Sequence, residues 1–256
     1  MGAPGGLVPA AQAPLSPVAG LFRHSRLPTQ SPGTWRMALL SHPHWEAVPP
    51  LLRDLLAEIG QMPFASRFYL AGGSALALRL GHRVSVDLDF FSGVDEVDDD
   101  SRAEIVAAFK QHRAIEVLEN VFGNLLIEVG DTHVGFFSYG YSLLEPPAAV
   151  LDVRLAGLLD IGLMKLDALI SRGARKDFYD LYFIAQQIPL EEMLHQGPVK
   201  YPYARDYEMM ALTSLTYFEN ADQQMAIESF PPTDWETVRD FFVVEARRLG
   251  RIWFET

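Results

Sequence analysis

The stretch AGGSALALRLGHRVSVDLDFFS, residues 71–92, surrounds two carboxylates with apolar side chains. Asp87 and Asp89 stand two residues apart in a strand-like run, shortly after a Gly-Gly turn. Burying an unpaired carboxylate is costly, so this pattern is unfavourable unless a cation offsets the charge. The stretch therefore predicts a strand that holds a cation at its two aspartates.

The residues before the aspartates predict a phosphate-binding turn. An apolar strand over residues 67–73 runs into Gly72 and Gly73, and a short helix over residues 74–81 follows, with Ser74 at its N-cap. The first backbone N–H groups of a helix have no partner within the helix and attract anions. Because glycine has no side chain, a phosphate can approach such a turn closely.

A strand over residues 84–91 then brings Asp87 and Asp89 to one face, where they can share divalent cations. Val84 and Val86 continue the apolar register of this strand, which predicts that it is half buried. Oxygen ligands beside a phosphate site favour Mg²⁺ or Mn²⁺ carrying a nucleoside triphosphate. Two such ions on a carboxylate pair can activate an attacking oxygen and stabilise a leaving phosphate.

Composition is that of an ordinary globular protein. The 256 residues are 49% hydrophobic, which allows a sizeable core in one large domain or two small ones. The absence of cysteine excludes disulfides, thiolate metal ligands and a cysteine nucleophile. A net charge of −12 argues against coating nucleic acid with the whole surface but leaves room for a local basic patch. No segment reaches the roughly 20 apolar residues of a membrane span, so we expect a cytoplasmic protein without a membrane partner.

The rest of the chain predicts an α/β part followed by a helical part. Residues 1–36 are rich in proline, glycine and alanine and lack acidic residues, so we expect a disordered tail. An α/β core is predicted over residues 37–153 and a helical C-terminal domain over residues 154–256. The predicted helices cover residues 48–62, 101–112, 155–171, 176–187, 206–218 and 233–250. The later predicted strands are AIEVLEN, NLLIEVG and HVGFFSY, joined by turns at Gly123-Asn124 and Gly130-Asp131.

Two stretches resemble a known family. GGSALALRLGHRVSVDLDFF is followed at residues 158–184 by LLDIGLMKLDALISRGARKDFYDLYFI. Together they resemble the AbiEii/AbiGii toxin family of nucleotidyltransferases in the DNA polymerase beta-like superfamily, over roughly residues 65–190. The resemblance implies an α+β fold, a nucleotidyltransferase-type mixed β-sheet flanked by helices. It also implies the toxin half of a bacterial toxin-antitoxin or phage-defence locus, paired with an antitoxin, and nucleotide transfer that in some members is to the 3′ end of tRNA.

The resemblance also implies roles for individual residues. Gly73 and Ser74 match the phosphate-binding turn, and Asp87 and Asp89 match the metal-binding carboxylates. Lys165 matches the lysine that neutralises the triphosphate. The acidic positions after this lysine, which complete the expected catalytic set, are matched by Asp177 and Asp180.

Basic residues near these motifs predict a rim for a nucleotide or an RNA end, which an acidic protein needs locally. The rim residues are Arg79, His82, Arg83, Arg172, Arg175 and Lys176. The predicted nucleotide-binding set is Gly72, Gly73, Ser74, Arg83, Lys165, Arg175 and Lys176.

Several of these assignments have structural alternatives. An ion pair with Asp167 or Asp180 would account for Lys165 without any chemistry. Asp177 and Asp180 lie near the start of a helix, where the helix dipole and neighbouring basic residues favour carboxylates. Both interpretations stay open at the level of the sequence.

One position departs from the superfamily pattern. Such nucleotidyltransferases usually carry a third carboxylate on a later strand, where it acts as the base toward the acceptor hydroxyl. The strand HVGFFSY has Gly135 at that place, and Glu128 and Asp131 are the nearby substitutes. The protein uses one of these, relies on the other aspartates, or has lost activity.

Four functions remain open. The first is a Mg²⁺-dependent nucleotidyltransferase toxin that acts on tRNA or another RNA. The second modifies a protein side chain or a small molecule, and the third is a catalytically degenerate binding subunit. The fourth, an Asp-x-Asp glycosyltransferase, is disfavoured because the glycine turn and its helix lie upstream of the aspartates at nucleotidyltransferase spacing.

Overall fold

The computed structural model describes residues 38–254, so the tail predicted to be disordered, residues 1–36, lies outside the described residues. The described part contains seven strands that form one sheet. They are β1 (Tyr69–Ala71), β2 (Leu88–Ser92), β3 (Glu116–Val121), β4 (Asn124–Val129), β5 (Thr132–Ser138), β6 (Ala148–Val150) and β7 (Val153–Leu155). Their order across the sheet is β3-β4-β5-β2-β1-β7-β6.

The sheet is mixed. β2 runs parallel to β5 and β1 runs parallel to β7, whereas the other neighbours are antiparallel. The helices are α1 (Pro50–Gly60), α2 (Gly72–Leu80), α3 (Asp99–His112), α4 (Leu158–Ser171), α5 (Arg175–Ala185), α6 (Leu190–Lys200), α7 (Tyr207–Ser214), α8 (Glu219–Asp222) and α9 (Trp235–Phe254). A mixed sheet with flanking helices confirms the predicted α+β class.

The side-chain alternation of β2 gives the sheet one apolar face and one face that carries the aspartates. Phe90 pairs in register with Phe136 of β5, and their rings stack with centroids 5.2 Å apart. Asp89 points to the opposite face because successive strand residues alternate. Its register partner on β5 is Gly135. The core therefore fixes the side of the sheet on which the aspartates lie.

β2 is shorter than predicted. It begins at Leu88, so Val84 and Val86 lie outside the strand, where their side chains are 48% and 50% exposed. The reason is that β1 ends at Ala71, opposite Asp89, where the chain turns into α2. Residues before Leu88 thus have no strand partner on that side of the sheet.

The sequence after residue 147 contains elements that the patterns did not predict. β6 and β7 have three residues each, too few to show a period of two, and β7 pairs with β1 through Leu155 and Leu70. The domain boundary predicted between residues 153 and 154 falls inside β7. α6 was also not predicted, since Pro198 interrupts its pattern, and neither was the four-residue helix α8.

Candidate active site

The glycine turn before α2 is shaped by the close approach of other side chains. Gly72 has φ = +66°, and a Cβ there would lie 2.8 Å from Asp89 Oδ2. A Cβ at Gly73 would lie 2.7 Å from Arg83 Nη2. Glycine adopts positive φ without strain and leaves room for these neighbours. The turn therefore brings Asp89 and Arg83 against the start of α2.

Ser74 holds the segment that carries the aspartates. The prediction that it caps the helix is wrong, because the chain turns at Gly72 and α2 begins there, with Ala71 at the N-cap. The buried Ser74 hydroxyl donates to the backbone carbonyl of Asp87 and lies 3.0 Å from Ser85 Oγ. The Ser74 side chain thus holds the backbone at Asp87 beside the first turn of α2.

Asp87 and Asp89 form the acidic side of the site. Burial raises the pKa of Asp89, and the charge of Asp87 raises it further, while Lys176, Lys165 and Arg172 oppose the shift. Within residues 38–254, no hydrogen bond or ion pair reaches the Asp89 carboxylate. A partly buried carboxylate with raised pKa and a like-charged neighbour suits a hard divalent cation.

The aspartates open onto a cavity of about 150 Å³. Its wall is formed by Gly73, Arg83, Val84, Ser85, Val86, Asp87, Asp89, Lys165, Arg172 and Lys176. Two carboxylates and four cationic side chains therefore share one small space. Sequence positions separated by up to about a hundred residues meet here, since α4 and α5 pack beside α2.

Lys165 and Arg172 are held in the cavity wall by Asp177. Lys165 Nζ lies 2.8 Å from Asp177 Oδ1, and Arg172 donates through Nε and Nη2 to both oxygens at 2.7 and 2.9 Å. Burial alone would raise the pKa of Asp177, but Lys165 and Arg172 lower it well below its usual value. Asp177 is therefore an ionised partner of the two cations.

Asp180 has the same role one helical turn further along α5. It accepts from Arg83 Nε and Nη2 at 2.6 and 2.9 Å and lies 2.7 Å from His82 Nε2. Lys165 Nζ lies 2.6 Å from Asp180 Oδ2, so the ion pair with Asp180 that the sequence allowed is present. Burial opposes ionisation, yet Arg83 and Lys165 hold the pKa of Asp180 well below its usual range.

Asp177 and Asp180 were predicted as catalytic residues, and the structure places both behind the cavity wall. Both carboxylates are fully buried, and their oxygens already accept hydrogen bonds or ion pairs. Neither belongs to the set of described residues that line the cavity. The geometry makes them positioning residues for Lys165, Arg172 and Arg83.

Lys176 and Arg175, adjacent in sequence, point to different places. Lys176 lines the cavity, and burial lowers the pKa of its ammonium, as do Lys165 and Arg172. No ion pair of Lys176 occurs within the described residues. Arg175 instead donates to the carbonyls of Ala221 and Asp222, at 2.8 and 3.1 Å, so the structure does not bring it to the predicted nucleotide site.

β5 lies beside the aspartates and has Gly135 opposite Asp89, at the place expected for a third carboxylate. A Cβ at Gly135 would lie 2.4 Å from the ring of Phe137, so that ring occupies the place expected for a third carboxylate. Asp131 lies in the exposed turn before β5. Glu128 of β4 lies beside His133 of β5, with 3.6 Å between Oε2 and Nε2. His133 had not been predicted as a site residue.

A family model described as "Nucleotidyl transferase AbiEii toxin, Type IV TA system" matches residues 54–249, most of the chain. The chain belongs to this family. It is thus an AbiEii-type nucleotidyltransferase, which confirms the resemblance found in the sequence.

Several known proteins are similar to this chain over most of their length. An uncharacterized protein of Aquifex aeolicus (strain VF5) is 34% identical over 200 residues, which cover 74% of this chain and 91% of that protein. The structure of MenT4, a nucleotidyltransferase toxin of Mycobacterium tuberculosis H37Rv, gives a TM-score of 0.47 at 16% identity, covering 77% and 86% of the two chains. That of JHP933 from Helicobacter pylori gives a TM-score of 0.43 at 16% identity, covering 79% and 90%.

Two features are absent from the described part of this AbiEii-family protein. Among residues 38–254, no three His, Asp or Glu side chains converge to hold a metal ion. The chain would thus supply the two aspartates, leaving other positions on a cation to phosphate oxygens and water. None of the helices in the described part is long and apolar enough to cross a membrane.

Proposed function

We propose that this AbiEii-family protein is a Mg²⁺- or Mn²⁺-dependent enzyme that transfers a nucleoside monophosphate from a nucleoside triphosphate to the 3′ end of an RNA, such as tRNA. The observation that carries the proposal is a single cavity lined by both carboxylates and cations. Asp87 and Asp89 come from β2 and the residue before it, and Lys165, Arg172 and Lys176 come from α4, α5 and the turn between them. A metal-bound polyphosphate needs both kinds of group.

Asp87 and Asp89 would hold the divalent cation. The fit rests on Asp89, whose partly buried carboxylate has a raised pKa and no hydrogen bond or ion pair among the described residues. When bound, a divalent cation neutralises charge on the phosphates and lowers the pKa of an oxygen ligand. The aspartates themselves position that charge at the edge of the cavity.

Three cations of the cavity lining, Lys165, Arg172 and Lys176, would bind the phosphates. Lys165 and Arg172 are held in place by Asp177, so little rotational freedom is lost when they meet a ligand. No carboxylate forms an ion pair with Lys176 within residues 38–254, and its ammonium adds a charge that phosphate can neutralise. The phosphates would occupy the cavity of about 150 Å³ that these cations line.

The rest of the nucleotide would lie at the rim. Val84 and Val86 belong to the cavity wall and are half exposed, so their apolar surface is available to a ribose or a base. The acceptor hydroxyl oxygen would form a bond to the α-phosphorus while the bond to the bridging β-phosphate oxygen breaks. Pyrophosphate would leave toward the three cations, and the hydroxyl proton would pass to solvent.

An RNA end is favoured as the acceptor by charge. The protein carries a net charge of −12. This charge repels long duplexes, whereas a short single-stranded end brings few phosphates to the protein. We also propose that the protein acts in the cytoplasm as the toxin of a toxin-antitoxin or phage-defence locus with a cognate antitoxin.

The experiment incubates the protein with Mg²⁺, one labelled nucleoside triphosphate at a time, and either total RNA or total protein. Label in RNA, with most in tRNA, is the expected result. Asp87→Asn and Asp89→Asn should each reduce transfer at least about a thousandfold, because they remove ligands on which the metal-assisted step depends.

Asp100→Asn is the matched control, since Asp100 is exposed at the start of α3. Its transfer rate should equal that of the wild type. Label in protein alone would replace the RNA acceptor by a side chain. Nucleotide binding without any incorporation would instead indicate the degenerate subunit.

A further inference from the structure

A row of three polar side chains extends from the Asp pair across the sheet, away from the cavity. Asp87 precedes β2, His133 is on β5 and Glu128 is on β4. His133 Nδ1 lies 3.3 Å from Asp87 Oδ1, and its Nε2 lies 3.6 Å from Glu128 Oε2. All three side chains are about one quarter to one third exposed, so the row is open to solvent.

The two sides of Asp87 differ in charge and chemistry. On the cavity side stand Lys165, Arg172 and Lys176, which suit the triphosphate and the leaving pyrophosphate. On the β5 side stands an imidazole backed by a carboxylate. In phosphoryl transfer, the attacking and leaving oxygens lie roughly in line on opposite sides of the phosphorus. If the pyrophosphate leaves toward the cations, the acceptor must approach from the β5 side.

The floor of that approach offers few polar groups. Gly135 has no side chain, and the ring of Phe137 lies over it. Phe137 packs against Phe91 with the two rings tilted by 31° and their centroids 5.2 Å apart, which helps to hold the ring in this position. His133, two residues before Gly135 on the same face of β5, is therefore the polar side chain of β5 nearest Asp87.

We infer that His133 is the acceptor-contacting residue of this enzyme, and that it binds the hydroxyl-bearing end of the acceptor while Glu128 orients its ring. The inference rests on the proposed function, since it assigns the acceptor side of the same transfer reaction. His133 Nε2 lies 3.6 Å from Glu128 Oε2, beyond hydrogen-bond distance, so Glu128 acts on the ring through its charge. His133 thereby supplies a polar contact where Gly135 supplies none.

The test separates acceptor binding from nucleotide binding. Transfer kinetics are measured for wild type, His133→Ala and His133→Asn with a deacylated tRNA pool as the acceptor. Loss of one hydrogen bond should raise the KM for tRNA about three- to tenfold in His133→Ala. His133→Asn keeps a polar atom near the position of Nδ1 and should recover part of the loss. His112→Ala, at an exposed site in the last turn of α3, is the matched control.

Two binding measurements complete the design and need no turnover. Calorimetry with Mn²⁺ and an α,β-methylene nucleotide reports the nucleotide site, and fluorescence anisotropy of labelled tRNA on that complex reports the acceptor. We expect tRNA affinity to fall in His133→Ala by the same factor as KM rises, with nucleotide affinity changed less than about twofold.

An unchanged KM and an unchanged tRNA affinity in His133→Ala would overturn the inference. So would an equal loss of nucleotide affinity, since His133 would then act through Asp87. If the wild type labels no RNA, the proposed function fails, and tRNA anisotropy alone decides whether His133 contacts an acceptor.

Discussion

Replacing Asp180 and replacing Asp89 should change stability in opposite directions. Asp180 is the shared partner of Arg83, His82 and Lys165, and all four side chains are buried. Asp180→Asn leaves buried cations without their counter-charge, and breaking a buried pair in this way costs about 3–5 kcal/mol. At about 2–4 °C per kcal/mol for a domain of this size, Tm should fall by roughly 6–20 °C.

Asp89→Asn should have the reverse effect on stability. Asp89 is a partly buried charge beside a like charge, and desolvation together with the charge of Asp87 raises its pKa. Replacing it by a neutral residue of the same shape relieves that repulsion, so stability should rise by about 0.5–2 kcal/mol. Transfer activity should be lost at the same time, since the proposed cation ligand is removed.

Thermal and urea unfolding at neutral pH, without added metal, measure both changes. Asp100→Asn serves as the exposed control and should lie within about 0.5 kcal/mol of the wild type. Added Mn²⁺ should raise the Tm of the wild type but not that of Asp89→Asn. The reasoning is refuted if Asp180→Asn loses less than about 1 kcal/mol, or if Asp89→Asn is the less stable of the two variants.

Three further predictions follow from the same geometry. Gly72→Ala should weaken Mn²⁺ binding more than Gly123→Ala does, as measured by calorimetry. Both glycines have positive φ, but only a Cβ at Gly72 would meet a carboxylate oxygen, at 2.8 Å. Lys176→Met should weaken nucleotide binding more than Lys110→Met, which changes an exposed site of α3. Nucleotide binding to the wild type should also take up protons at alkaline pH, because phosphate raises the lowered pKa of Lys176. Calorimetry in buffers of different ionisation enthalpy tests both predictions. Burial lowers the folded-state pKa of His82, although Asp180 opposes the shift, so the unfolded chain binds the proton more readily. The free energy of unfolding should therefore fall as the pH drops below 6.5, the ordinary pKa of histidine. Urea unfolding measured across pH 5–8 should show a shallower fall for His82→Gln than for the wild type.

The acidic half of the site could be predicted because it is encoded locally. The glycine turn, the start of a helix near it and the two aspartates lie within residues 71–92, and strand alternation alone places Asp87 and Asp89 on one face. The family motifs added Lys165. The predicted helix start was two residues late, because the Gly-Gly pair does not show which glycine takes the positive φ, and it is Gly72 that does.

The roles of the other charged residues could not be predicted because they depend on distant pairing. Arg83 and Asp180 are 97 positions apart, and nothing in the sequence shows that they meet. Arg175 and Lys176 look equivalent in the sequence, but the rotation of α5 turns one toward α8 and the other into the cavity. His133 had one available signal, its spacing of two from Gly135, which places both on one face of β5.

The division of the cavity between distant parts of the chain has a consequence for synthesis of the protein on the ribosome. The aspartates are made early, but Lys165, Arg172 and Lys176 come from α4, α5 and the turn between them. Asp177 and Asp180, which hold the cations in place, come later still. A chain interrupted before α4 contains the two aspartates without these cations. Incomplete translation products should therefore be harmless to the cell that makes them, and toxicity should require the chain to extend at least through α5.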